Sequence, residues 1–83
     1  MEMIEELRER LDEVDDEIVR LFERRMELGA RIGECKIRDG LKVADRQREK
    51  DKLQDVAGKV STEFGKKGIR ELFEQLIAMN RKQ

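Results

Sequence analysis

Apolar residues recur along the first forty positions of the chain at alternating steps of three and four. Ile4, Leu7, Leu11, Val14, Ile18, Leu21, Leu28, Ile32 and Cys35 share this register, and Arg25 falls where the next apolar residue belongs. A heptad seam of this kind predicts one long amphipathic helix, over about residues 3–38. At ~1.5 Å per residue it would span roughly 50 Å. Asp39-Gly40 supplies a stop, because glycine takes the left-handed conformation that ends helices. Leu41, Lys42, Val43 and Ala44 form a short connection. Asp45 is then a good N-cap for a second helix over about residues 45–62, with Leu53, Val56, Ala57 and Val60 on one face. Gly65 and Gly68 are expected to bracket a turn around Lys66 and Lys67. A third helix follows over about residues 67–82, carrying Ile69, Leu72, Phe73, Leu76 and Ile77. The expected fold is all-α, one domain over residues 1–83.

The lengths of these helices have a consequence. The second and third are each about half as long as the first and can cover only one side of it. Left half bare, the seam would form a large exposed apolar patch. A second copy of the chain, with the two long helices packed together, removes the patch, so an intertwined homodimeric helical bundle is expected.

Each helix has one polar lapse on its apolar face. In the first it is Arg25. Lys36 lies eleven residues on, and eleven steps of ~100° return to within roughly 20° of the same direction. In the second, stepping back from Val60, Val56 and Leu53 reaches Glu49. In the third, stepping on from Phe73, Leu76 and Ile77 reaches Asn80. Arg25 and Lys36 are ~16 Å apart along the axis, and a small dianion would fit between their side chains. Arg25 admits two readings. It could set the register of a coiled coil or pair with Glu49 as a structural ion pair. It could instead await an anionic guest, since a guanidinium keeps its charge when buried. Glu49, Lys36 and Asn80 each have an ordinary reading as helix-end residues, but three lapses on three helices point to one internal polar pocket.

Composition narrows the chemistry. The 83 residues include 47% charged residues and no Pro, Trp, Tyr or His, which favours helices over a β-sandwich or barrel. Nineteen basic residues face twenty acidic ones, so no nucleic-acid footprint is indicated. No apolar run is long enough for a membrane span and no signal peptide is visible. The lone Cys35 cannot make an internal disulfide. Its place on the seam suggests a buried thiol in a reducing compartment, and a cytoplasmic protein. Without histidine, neither a zinc site nor Ser-His or Cys-His nucleophilic catalysis is expected.

These residues resemble a known family. Leu7-Arg8-Glu9-Arg10-Leu11-Asp12-Glu13-Val14-Asp15-Asp16-Glu17-Ile18 is similar to the opening of the all-helical chorismate mutases. Arg25-Met26-Glu27-Leu28 followed by Ile32-Gly33-Glu34-Cys35-Lys36 resembles that family's arginine and, eleven on, lysine. Asp45-Arg46-Gln47-Arg48-Glu49 resembles its Asp-x-x-Arg-Glu segment, and Leu72-Phe73-Glu74-Gln75-Leu76-Ile77 its third-helix core. The likeness covers nearly the whole chain, and the ordered spacing Arg8, Arg25, Lys36, Asp45, Arg48, Glu49 is its specific part.

The resemblance implies an intertwined dimer that rearranges chorismate to prephenate in aromatic amino-acid biosynthesis, with no cofactor and no metal. It implies that Arg8 reaches the site from the partner subunit and, with Arg25, holds the two substrate carboxylates. Lys36 then donates to the ether oxygen, and Glu49, with backbone near Asp45, receives the ring hydroxyl. Arg48 borders the site, and Asn80 stands where the family has a small polar residue touching a carboxylate. The family's second donor to the ether oxygen would fall at residue 84, one past this sequence. Gln83 is the nearest candidate, pointing about 100° away on an ideal helix. Helix geometry supports the partner's contribution, since Arg8 and Arg25 lie ~25 Å apart on one helix and cannot grip one small molecule from the same chain. A non-catalytic helical dimerisation or regulatory module is the alternative reading.

Overall fold

Three helices account for the secondary structure of residues 1–42 and 44–83, which a computed structural model describes: α1 over Ile4–Arg38, α2 over Arg46–Gly58 and α3 over Glu63–Arg81. There is no strand among the described residues. The connection expected over residues 41–44 includes Val43, which lies outside them.

The first helix has the expected bounds. Met3 provides no side-chain cap, but Glu5 and Glu6 in the first turn and Lys36 and Arg38 in the last suit the helix dipole. Its end is a Schellman motif. Gly40 takes φ +69°, its N–H donates to the Ile37 carbonyl at 3.2 Å, and the Leu41 N–H donates to the Lys36 carbonyl at 2.8 Å. Asp45 caps α2 as expected, its carboxylate accepting from the Arg48 N–H at 3.0 Å.

The junction between α2 and α3 differs from the sequence expectation. The second helix ends at Gly58 rather than near residue 62. Its last turn tightens, with the N–H groups of Lys59 and Val60 donating to the carbonyls three residues back. The third helix starts at Glu63 rather than near residue 67, so Gly65 and Gly68 are helical and bracket no turn. Thr62 explains the early start: its hydroxyl accepts from the Gly65 N–H at 2.9 Å, and that cap outweighs the low helix propensity of two glycines. Gly65 serves close approach instead, because a Cβ there would lie 2.5 Å from Cγ1 of Val60 and 2.8 Å from the Thr62 hydroxyl.

Helices α2 and α3 form the packed pair, and α3 also lies against α1. Val56 and Ala57 are the buried apolar residues of this small core. The seam of α1 is largely open: Leu11, Ile18 and Ile32 keep more than half of their surface exposed. Cys35, expected to be buried, is exposed: among the described residues, no helix of the same chain covers that part of the seam. The radius of gyration is 16.2 Å, against about 12 Å for a compact chain of this length. Among the described residues, no helix is long and apolar enough to cross a membrane.

Candidate active site

The three helices converge on one groove of about 370 Å³, and it collects the polar lapses. The face of α1 that looks into it carries Arg25, Leu28, Gly29, Ile32, Gly33 and Lys36. Asp45, Arg48, Glu49 and Lys52 come from the start of α2, and Ile77, Asn80 and Arg81 from the last two turns of α3. Six of the eight positions named from the sequence thus share one cavity: Arg25, Lys36, Asp45, Arg48, Glu49 and Asn80. Their local setting explains the convergence. Arg25 and Lys36 are aligned by the eleven-residue step on α1, and Asp45 reaches the groove because its capping role fixes it at the mouth of α2.

Two of the eight lie elsewhere. Arg8 is exposed on α1, seventeen residues before Arg25, and does not line the groove. Gln83 follows the end of α3 at Arg81, is exposed, and does not line the groove either. Its direction on an ideal helix already pointed away, and the helix has ended before reaching it.

Arg25 is half-buried and carries its own set of contacts. Its Nη1 donates to Oδ1 of Asn80, and its guanidinium lies over the Phe73 ring, 5.5 Å from the centroid. Burial pushes its pKa down from the ordinary value, though an arginine stays charged under any working condition. The ion pair with Glu49 that the sequence left open is not formed. Glu49 is held by Arg81, whose Nε donates to Oε2 at 3.0 Å and whose Nη2 donates to Oε1. The amide nitrogen of Asn80 is buried without a hydrogen-bond partner.

Gly29 makes the Arg25–Asn80 contact possible. A Cβ there would stand 1.8 Å from the amide nitrogen of Asn80. Gly29→Ala is therefore expected to force Asn80 into another rotamer and release Arg25. The gain in helix propensity, about 1 kcal/mol, should keep the melting temperature within roughly 5 °C of the parent. A crystal structure of the variant with Asn80 unmoved would contradict this.

Sequence reasoning did not single out Gly29, Gly33, Lys52 or Arg81. The two glycines had a visible signal, small residues four apart on the face between Arg25 and Lys36. Lys52 had one too, three residues after Glu49 on the same face. Arg81 had none, because it reaches Glu49 across 32 residues of sequence.

The walls carry five cationic side chains, Arg25, Lys36, Arg48, Lys52 and Arg81, against the carboxylates of Asp45 and Glu49. With an excess of three positive charges over an apolar floor, the groove suits a small, doubly negative organic molecule.

Comparison with known proteins bears on this groove. A family model described as chorismate mutase type II matches residues 7–83. The bifunctional chorismate mutase/prephenate dehydratase of Aquifex aeolicus (strain VF5) is 32% identical over 81 residues, covering 98% of this chain and 17% of that protein. The chain thus spans less than a fifth of the length of that curated relative. No solved structure matches.

Proposed function

Because the chain belongs to the chorismate mutase type II family, we propose that it rearranges chorismate to prephenate in aromatic amino-acid biosynthesis and that it does so as a homodimer. The observation that carries this reading is the convergence of Arg25, Lys36, Arg48, Glu49 and Asn80, drawn from three helices, on one cationic groove.

The reaction is a unimolecular pericyclic shift, so the protein needs no nucleophile, base or cofactor. It must hold a flexible dianion in its compact, chair-like shape and stabilise the charge that builds on the ether oxygen as the C–O bond breaks. Arg25 suits the first task, since a guanidinium can give a carboxylate two parallel N–H bonds. A carboxylate competing for Arg25 releases Oδ1 of Asn80, and rotation of that amide then offers its unpartnered nitrogen to the same carboxylate. Lys36 suits the second task, because an ammonium in a desolvated groove interacts more strongly with the transition state than with the substrate. Glu49 accepts the ring hydroxyl beside the backbone at Asp45, and Arg48 borders the site.

The dimer completes the site. The chain alone exposes 7415 Å², about 2,200 Å² more than the roughly 5,200 Å² of a compact monomer of this mass. That surplus per chain matches what obligate dimers bury. Packed antiparallel across a two-fold axis, two α1 helices cover each other's seams and bring Arg8 of one to the groove of the other, where it grips the second carboxylate. On this reading the protein works in the cytoplasm, with Cys35 kept as a thiol.

Ligand linkage tests the proposal. A dianionic bicyclic transition-state analogue at a hundredfold excess over its Kd should add about 2.7 kcal/mol of stability and raise Tm by on the order of 10 °C. A non-catalytic dimerisation module would show no such rise, and Arg25→Leu would stabilise it by removing an uncompensated charge from the seam.

A further inference from the structure

We propose that Arg81 is a positioning residue for Glu49, an assignment that rests on reading the groove as the chorismate site. Arg81 is the last residue of α3, and Glu49 lies in the first turn of α2. Their bond ties the two helices together at the groove. The contact is a two-point fork: Nε donates to one carboxylate oxygen at 3.0 Å and Nη2 to the other. A fork fixes the plane of the carboxylate as well as its position, which a point charge cannot do. The carboxylate side chain is 21% exposed, so it is largely withdrawn from solvent, yet it still lines the groove.

One of the groove's other cations on α2 does not take this role. Lys52, one turn along, has its ammonium 3.7 Å from Asp55. Each Glu49 oxygen keeps one lone-pair direction after meeting Arg81. A ring hydroxyl therefore finds an acceptor already oriented, and the ordering of a three-torsion side chain is not charged against binding. Arg81 acts through Glu49 and does not touch the substrate.

The test compares Arg81→Met, Arg81→Lys, Glu49→Gln and the Arg81→Met/Glu49→Gln double variant by steady-state kinetics, with thermal melts alongside. Arg81→Met should raise KM roughly tenfold, the worth of one charge-assisted hydrogen bond, while kcat changes little. Arg81→Lys keeps the favourable cation at the helix C-terminus, and with it the fold, so it carries the test even if the Met variant is unstable. It should show the same rise in KM, because it lacks the fork. In the Glu49→Gln background, Arg81→Met should add nothing further.

An unchanged KM in both Arg81 variants, even with a lower Tm, would reduce the ion pair to a structural tie and overturn the assignment. Effects that multiply in the double variant would place Arg81 on the substrate itself and also overturn it. Loss of turnover in the unaltered chain is a separate result: it would remove the chorismate reading, and the assignment with it, before any variant is compared.

Discussion

Lys36→Ala is expected to lower kcat by about two to three orders of magnitude while KM changes little. The asymmetry follows from when the lysine acts. On the proposed function, the ether oxygen is a weak acceptor in the ground state, and arginine would hold the substrate mainly by its carboxylates. As the C–O bond breaks, that oxygen gains negative charge, and an ammonium held beside it would stabilise that charge more than it stabilises the ground state. The helix fixes the point from which the Lys36 stem reaches the groove. Lys36 sits in the last turn of α1, on the Arg25 face, where the Schellman motif at Gly40 closes the helix. Lys36→Met, which retains the stem and removes the charge, should fall as far as the alanine variant. Near-normal turnover in either would show that charge stabilisation at the ether oxygen comes from another group.

Arg8→Ala should abolish most of kcat/KM although the residue lies ~25 Å along α1 from the groove of its own chain. The effect is expected only if, as proposed, a two-fold axis carries Arg8 into the neighbouring site, and subunit mixing tests this quantitatively. Arg8→Ala and Lys36→Ala homodimers each have two defective sites. In a mixed dimer both lesions fall in one site and the other is intact. Random exchange at equal concentrations should therefore restore about a quarter of the parent activity from two inactive proteins. If mixing restores nothing while the chains demonstrably exchange, Arg8 works within its own chain or not at all, and the intertwined arrangement is wrong.

What could be read from the sequence was whatever is encoded locally. The bounds of α1 follow from a three-four spacing that never slips and a glycine stop, and Asp45 is recognisable as a cap because capping spans only three residues. At the α2–α3 junction two competing local signals point opposite ways. Gly65 and Gly68 suggest a turn, but Thr62 offers a cap that starts the helix before them. The groove was legible where a polar residue breaks an apolar stripe, as at Arg25, Glu49 and Asn80. Arg81 belongs to no stripe. Its long side chain reaches sideways from a helix end, and nothing in the periodicity of either helix registers a pairing between elements. The exposure of Cys35 has the same origin as that of the whole seam: the pattern says which face is apolar, not which molecule covers it.

The most direct test of the central claim is a continuous assay of chorismate by the purified, unaltered chain, following loss of substrate absorbance and identifying the product. If the proposed function holds, prephenate forms stoichiometrically, with saturation kinetics, inhibition by the dianionic bicyclic analogue, and no dependence on added metal or cofactor. Chorismate persisting at the uncatalysed rate in the presence of folded, dimeric protein would contradict it.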